Sequence, residues 1–235
     1  MENRSIALDG PSAAGKSTLA RRIAAHFGLI YVDTGALYRC IGLYALRHGV
    51  GSRDEPAVAA MLPDIKLEMF YDGEGIQRML LCGEDVTDAI RAPDVSRYAS
   101  DVSAMPPVRA FLLHMQREMA EKYDVIMDGR DIGTVVLPNA GLKVFISANP
   151  EARAKRRYLE LMEKQIETTL DEVARDMALR DKNDSEREAA PLKAAVDAIA
   201  LDTSDNSFDE SFESLCALIA NRFGRTKNVA DPQDL

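Results

Sequence analysis

Apolar positions along the chain alternate between short runs and helical stripes. Ser5 to Leu8 is a short apolar run, and after a glycine-bearing interval Leu19, Ile23 and Phe27 recur at helical spacing up to Gly28. Leu29 to Val32 is a second run with β-branched and aromatic members, hence a buried strand. Asp33-Thr34-Gly35 can cap a helix that carries Leu37, Ile41, Tyr44 and Ala45 on one face and closes at Gly49. The rhythm then changes. Ile65, Leu67, Met69 and Tyr71 alternate with polar residues, residues 72–75 read as a turn, and residues 76–82 resume the extended pattern; this predicts an antiparallel hairpin, with a third short strand near residues 84–87. Helices are predicted from Pro93 and from Pro107, the second with Val108, Phe111, Leu112, Met115 and Met119 on one face. Strand-like runs return at residues 124–127, 142–146 and 198–201. Ser147 to Pro150 reads as a helix start, and Ser207 with Glu210 forms a capping pattern ahead of a last helix through Phe212, Leu215, Ile219 and Phe223. Five short apolar strands interleaved with helices predict an α/β fold: a five-stranded parallel sheet flanked by helices, interrupted by an α+β insertion.

The interval between the first strand and the first helix carries the chemistry. Gly10, Pro11, Ser12, Ala13, Ala14, Gly15, Lys16, Ser17 and Thr18 spell GPSAAGKST, a GxxxxGKS pattern in the strand–loop–helix context of a phosphate-binding loop. Glycine lets the backbone wrap an anion without a Cβ in the way, and the loop N–H groups and the helix N-terminus attract phosphate oxygens. Lys16 is expected to reach the β- and γ-phosphates of ATP, and the Ser17 hydroxyl to ligate Mg2+. The sheet is therefore expected to be of the P-loop NTPase type.

Composition narrows the partners. A formal charge of −9 excludes a broad basic face for nucleic acid, so the cations that meet anionic ligands must be concentrated locally. Cys40, Cys82 and Cys216 are odd in number, far apart and in no metal-ligand spacing, which predicts free thiols in a reducing compartment and no zinc site. No stretch reads as a secretory h-region and no window approaches the length of a membrane span, so the expected setting is cytoplasmic, without membrane contact. His26, His48 and His114 fall on predicted helices and are read as structural or surface residues.

Two segments stand out by charge. Residues 151–164 contain Arg153, Lys155, Arg156 and Arg157, and residues 175–187 contain Arg180, Asp184 and Arg187. Such a helix pair is either a solvated face or, beside a triphosphate, a lid whose arginines exclude water and stabilise charge on the transferred phosphoryl group. An acceptor needs its own site at the carboxyl edge of the sheet. Thr34, Tyr38 and Arg39 follow the second strand, and Asp128, Gly129, Arg130 and Asp131 follow the third. Arg39 and Arg130 can hold an acceptor phosphate bidentately, although Arg39 alone is equally readable as a solvated helix residue. Asp128 is either an outer-shell partner of magnesium or a turn cap. The resulting division has a core at 1–36, 123–149 and 191–223, an acceptor-binding insertion at 37–122, a lid at 150–190 and a mobile tail at 224–235.

GPSAAGKST, DTGALYR at 33–39, DGRDIGTVVLP at 128–138, ARAKRR at 152–157, and the run from Arg180 through Asp184 and Arg187 to Pro191 and Leu192, in that order, resemble the bacterial cytidylate kinase family. The similarity runs from Ile6 to about Phe223. It implies transfer of the γ-phosphate of ATP to CMP and dCMP, giving ADP and CDP or dCDP, by a monomer. It further implies that Ser100, Arg109 and Asp131 face the cytosine, that Arg39 and Arg130 hold the CMP phosphate with Thr34 and Tyr38 in the same wall, and that Arg180 and Asp184 approach the ribose. Arg187 and the cluster from Arg153 to Arg157 would lie over the phosphates, so that catalysis rests on Lys16, Arg130, Arg153, Arg157 and Arg187. The competing enzyme reading is another P-loop small-molecule or nucleoside monophosphate kinase, which a panel of acceptors separates. A nucleotide-dependent switch or binding module is the reading from another class; it predicts slow hydrolysis without an acceptor and leaves the paired arginines unused.

Overall fold

The computed structural model describes residues 4–73 and 75–224. In chain order the elements are β1 (Ser5–Asp9), α1 (Lys16–Phe27), β2 (Ile30–Asp33), α2 (Thr34–Arg47), α3 (Glu55–Met61), β3 (Leu67–Tyr71), β4 (Gln77–Leu81), β5 (Glu84–Asp85), α4 (Pro93–Val102), α5 (Pro106–Lys122), β6 (Val125–Gly129), β7 (Leu142–Ser147), α6 (Pro150–Glu163), α7 (Leu170–Glu186), β8 (Ile199–Asp202) and α8 (Phe208–Phe223). Five strands form one sheet in the order β2-β6-β1-β7-β8, with every neighbouring pair parallel.

Side chains alternate across a strand, so a sheet covered on both faces needs apolar residues at consecutive positions. Ile6, Leu8 and Ile126 pack with Leu19 and Ile23 of α1 and Leu215 and Ile219 of α8, whereas Ala7, Val125 and Met127 pack on the opposite face with Val32, Ile132 and Val136. That double burial explains why β1 and β6 read as continuous apolar runs.

The segment between β2 and β6 builds its own layer. β3, β4 and β5 form a small antiparallel sheet, and Leu37, Ile41, Val58, Met79, Ile90, Val95 and Leu112 belong to a separate apolar cluster drawn from α2, α3, the hairpin, α4 and α5. The hairpin meets the parallel sheet at the outer edge of β2. The Tyr71 hydroxyl donates to the Tyr31 carbonyl at 2.7 Å, and the Asp33 N–H donates to Gln77 Oε1 at 2.8 Å. A smaller cluster of Ala154, Val173 and Met177 joins α6 to α7, with Ala13 of the glycine loop packed against it.

Some elements differ from the expectation. α3 leaves almost no stripe in the sequence, because only Val58 and Met61 of it are buried. β8 begins one residue later than predicted and leaves Ile199 42% exposed, as an edge strand can. The turn predicted at 72–75 includes Glu74, which lies outside the described residues, as does the tail predicted at 224–235 apart from Gly224.

Candidate active site

The glycine loop owes its shape to backbone conformations that most residues avoid. Gly10 sits at φ 148°, and a Cβ there would lie 1.9 Å from the Ile146 carbonyl oxygen. Ala13 at φ 57° and Gly15 at φ 88° are left-handed, and left-handed residues among right-handed neighbours aim successive N–H groups into one concavity at the start of a helix. Lys16 is buried and folds back over the loop, its Nζ donating to the Pro11 carbonyl at 2.7 Å. Burial, then the neighbouring Arg130, pushes its ammonium pKa down to about 7. Thr18 is exposed on α1.

Asp128, near the end of β6, faces this loop. Its Oδ2 accepts from Ser17 Oγ at 2.7 Å, its Oδ1 accepts from the Tyr31 hydroxyl at 2.8 Å, and its carbonyl accepts from Thr34 Oγ1 at 2.8 Å. Burial and then the charge of Asp33 raise its pKa, so the carboxylate sits where a cation would relieve it.

Cations gather between the loop and α7. Arg130 Nε donates to Asp184 Oδ2 at 2.7 Å and Arg130 Nη2 to Ser12 Oγ at 2.8 Å, tying the helix to the loop. Burial and then Arg130 lower the pKa of Arg180 to about 10, with Arg39 and Arg157 adding to the effect and Asp184 opposing it. The Nε atoms of Arg180 and of Arg39 are buried without a hydrogen-bond partner. Arg39 Nη2 donates to Asp33 Oδ2 at 2.7 Å; burial works against the Asp33 charge, but Arg39 and Arg91 outweigh it and its pKa falls. Arg153 is buried, pairs with Asp181 Oδ2 at 2.7 Å and donates to the Ser12 carbonyl at 3.2 Å, so it braces the loop. Arg157 is half-buried and its Nη1 donates to Glu160 Oε2 at 2.7 Å.

A second cluster surrounds Asp131. Its Oδ2 accepts from Arg109 Nη2 and its Oδ1 from Arg187 Nη2 at 3.5 Å. The Ser103 carbonyl accepts from Arg109 Nη1 at 3.0 Å, and Ser103 Oγ accepts from Arg187 Nη1 at 3.2 Å. The Arg109 guanidinium lies 5.6 Å from the Tyr38 ring centroid, and Ser100 offers its carbonyl to Ser103 Oγ at 2.8 Å. Burial raises the Asp131 pKa in spite of Arg109 and Arg187. Arg187, expected over the phosphates with the lid, thus packs in this state against Asp131 and Ser103.

The sequence profile of the family described as cytidylate kinase matches residues 6–221. The chain belongs to the cytidylate kinase family. It is 44% identical over 227 residues to a cytidylate kinase of Syntrophotalea carbinolica, covering 97% of this chain and 94% of that one. It is 47% identical over 214 residues to a cytidylate kinase of an Exiguobacterium species, covering 91% and 95%. The solved structure of an uncharacterized protein from Eubacterium ventriosum shares 13% identity and superimposes with a TM-score of 0.51, covering 94% of this chain and 100% of that one; that likeness concerns the fold alone.

Within this cytidylate kinase family member, Ser17 Oγ and the Asp128 carboxylate form an oxygen pair suited to a hard divalent cation that keeps its other positions for phosphate and water. Among the described residues no group of three His, Cys, Asp or Glu side chains gathers around a metal position, and no helix is long and apolar enough to cross a membrane. Several residues at the site escaped the sequence reading: Asp9, Tyr31, Arg91, Ser103 and Asp181. Asp9 ends β1 as Asp128 lies near the end of β6, whereas Tyr31 sits inside β2 and reads there as an ordinary strand residue; Asp181 stands one turn before Asp184 on α7. Ser103 and Arg91 leave no local signal. A cleft of about 480 Å³ lies between α1, β2 and the hairpin and borders this region at Tyr31, Asp33 and Arg91, but it holds neither the glycine loop nor Asp131, so charge convergence rather than concavity locates the site.

Proposed function

We propose that the chain transfers the γ-phosphate of ATP to CMP and dCMP. The observation that carries this reading is the convergence of Lys16, Arg39, Arg130 and Arg180, two of them with buried unpartnered Nε atoms, between the glycine loop and the Asp131 cluster. Lys16 and Arg180, whose pKa values are both lowered, lack enough anion from the protein itself, and a triphosphate facing an acceptor phosphate supplies it.

In this reading residues 10–18 cradle the ATP phosphates, with Lys16 released from Pro11 onto the β- and γ-oxygens. Arg39 and Arg130 hold the acceptor phosphate, Thr34 and Tyr38 wall its pocket, and Arg180 with Asp184 flank the ribose. An acceptor phosphate oxygen, already anionic near neutral pH, forms the new bond to the γ-phosphorus while the bond to the β-bridging oxygen breaks and ADP leaves with its electron pair. No side-chain base is required. Mg2+, held by Ser17 with Asp128 in the outer shell, would neutralise charge on the β- and γ-oxygens. Arg153 keeps the loop in shape, and Arg157 turns from Glu160 toward the phosphates as the lid closes. Asp131, with Ser100 and Arg109 beside it, accepts from the exocyclic amine of cytosine; uracil presents a carbonyl there, which cannot donate and sets an acceptor against the carboxylate.

The same reading divides the chain into a core at 1–36, 123–149 and 191–223, an acceptor unit at 37–122 and a lid at 150–190. It describes a cytoplasmic monomer of pyrimidine nucleotide metabolism, with Cys40, Cys82 and Cys216 as free thiols. The test is an acceptor panel of CMP, dCMP, UMP, AMP, GMP and shikimate with ATP and Mg2+, reading ADP release and the phosphorylated product. CDP and dCDP are expected; turnover with another acceptor and none with CMP overturns the assignment, as does hydrolysis that ignores every acceptor.

A further inference from the structure

Asp9 is the last residue of β1, immediately before the first glycine of the loop, and it is 4% exposed. Both of its carboxylate oxygens are engaged by consecutive amides: Oδ1 accepts from the Ile132 N–H and Oδ2 from the Gly133 N–H, each at 2.7 Å. The Ile132 N–H belongs to the peptide plane that leaves Asp131. The carbonyl of that same plane accepts from the N–H groups of Val135 and Val136 at 2.9 and 3.2 Å, the first bonds of the π-helical turn Ile132–Val136. The plane next to Asp131 is therefore pinned on both sides. A carboxylate chelating two successive N–H groups cannot rotate without losing one of them, so it fixes orientation more tightly than a single bond would. Gly133 belongs to the same arrangement: a Cβ there would come within 3.3 Å of Asp9 Oδ2 and 3.1 Å of Lys143 Cδ.

We propose that Asp9 is a positioning residue for the acceptor base, holding the turn that presents Asp131 and thereby setting the preference for cytosine over uracil. This rests on the acceptor reading given above. Asp9 touches neither substrate in that reading. It joins the start of the donor loop to the residue that reads the acceptor, through two hydrogen bonds.

Asp9→Asn tests this with little change in shape. The amide can accept only one of the two N–H groups and sets its own NH2 against the other. The expected result is an approximately tenfold rise in KM for CMP and an approximately tenfold fall in the CMP-to-UMP ratio of kcat/KM, the size of one oriented hydrogen bond. KM for ATP should stay within about twofold. Because Asp9 acts through Asp131, adding Asp9→Asn to Asp131→Asn should change the CMP-to-UMP ratio little further. Gly133→Ala presses on the same carboxylate from the other side and should shift the ratio in the same direction, which keeps the test open if Asp9→Asn does not fold. An unchanged CMP-to-UMP ratio in the folded variant, equal losses for CMP and ATP, or full additivity with Asp131→Asn overturns the proposal. Wild-type protein that turns over another acceptor but not CMP overturns the acceptor assignment itself, an outcome visible before any variant is made.

Discussion

Replacing Lys16 with methionine should stabilise the protein in the absence of nucleotide while removing its activity. The side chain is 5% exposed, and burial together with Arg130 lowers its pKa from 10.5 to about 7. A shift of that size corresponds to roughly 5 kcal/mol at about 1.4 kcal/mol per unit, an upper figure, since relaxation and water penetration soften the cost of a buried ion. Methionine keeps most of the stem and removes the charge; it gives up the bond from Nζ to the Pro11 carbonyl, worth about 1.5–3 kcal/mol for a charged donor. A net gain of about 1–3 kcal/mol remains, or roughly 2–12 °C in Tm for a chain of this size. The pH dependence has a definite sign. An unfolded lysine keeps its proton to about 10.5 and the folded one loses it near 7, so between those values the unfolded state binds more protons and wild-type stability rises with pH. Below about 7 the full penalty is present. Lys16→Met lacks this slope, so the gap between the two proteins should be widest at pH 6 and narrow toward pH 9. Calorimetric melts at both pH values, with and without ATP, read the effect; ATP should raise the melt of the wild type far more than that of the variant, and coupled ADP release should fall by orders of magnitude. A variant that melts below wild type at pH 6, or parallel pH profiles, would refute the reasoning.

Asp131→Ala leaves Arg109 and Arg187 facing each other without their shared carboxylate; a loss of about 3–5 kcal/mol is expected in urea unfolding, with CMP affinity weakened more than ATP affinity by titration calorimetry. Gly10→Ala drives a Cβ to 1.9 Å from the Ile146 carbonyl oxygen, and a lowered urea midpoint or failure to fold is expected, at a cost above about 3 kcal/mol. Tyr31→Phe strips one donor from the buried Asp128 carboxylate; it should cost about 1–3 kcal/mol and shift the magnesium concentration that half-saturates turnover, read by titrating Mg2+ at fixed ATP.

The fold was legible wherever burial imposes a period. β1, β2 and β6 read as apolar runs because both of their faces are covered, and α8 announced itself through the reciprocal Ser207 and Glu210 cap. The equivalent cap at Thr169 and Glu172 starts α7, whose apolar stripe is thin, with only Val173 and Met177 of its apolar residues buried, so no periodicity follows the cap to mark it. At the site, spacing brought Lys16, Ser17, Arg39, Asp128 and Arg130 to one edge of the sheet. It could not separate Arg153 from Arg157, which stand one helical turn apart and share a face; only the fold presses the first onto the Ser12 carbonyl and pairs the second, half-buried, with Glu160. Nor could it bring Ser103 to Arg187 or Asp9 to Gly133, since those contacts join positions 84 and 124 residues apart.

The outer edge of β2 is closed by two side chains rather than by another strand. A backbone ladder would bind the hairpin to the twist and register of the parallel sheet at every residue; Tyr71 and Gln77 bind it at two points. At that edge the hairpin is therefore joined to the sheet by side chains alone, while Met69 and Tyr71 of the hairpin and Leu113 and Met119 of α5 pack against the apolar cluster on that face of the sheet. An open edge also invites a strand from another molecule, so the same pair of contacts shields the chain from edge-to-edge association.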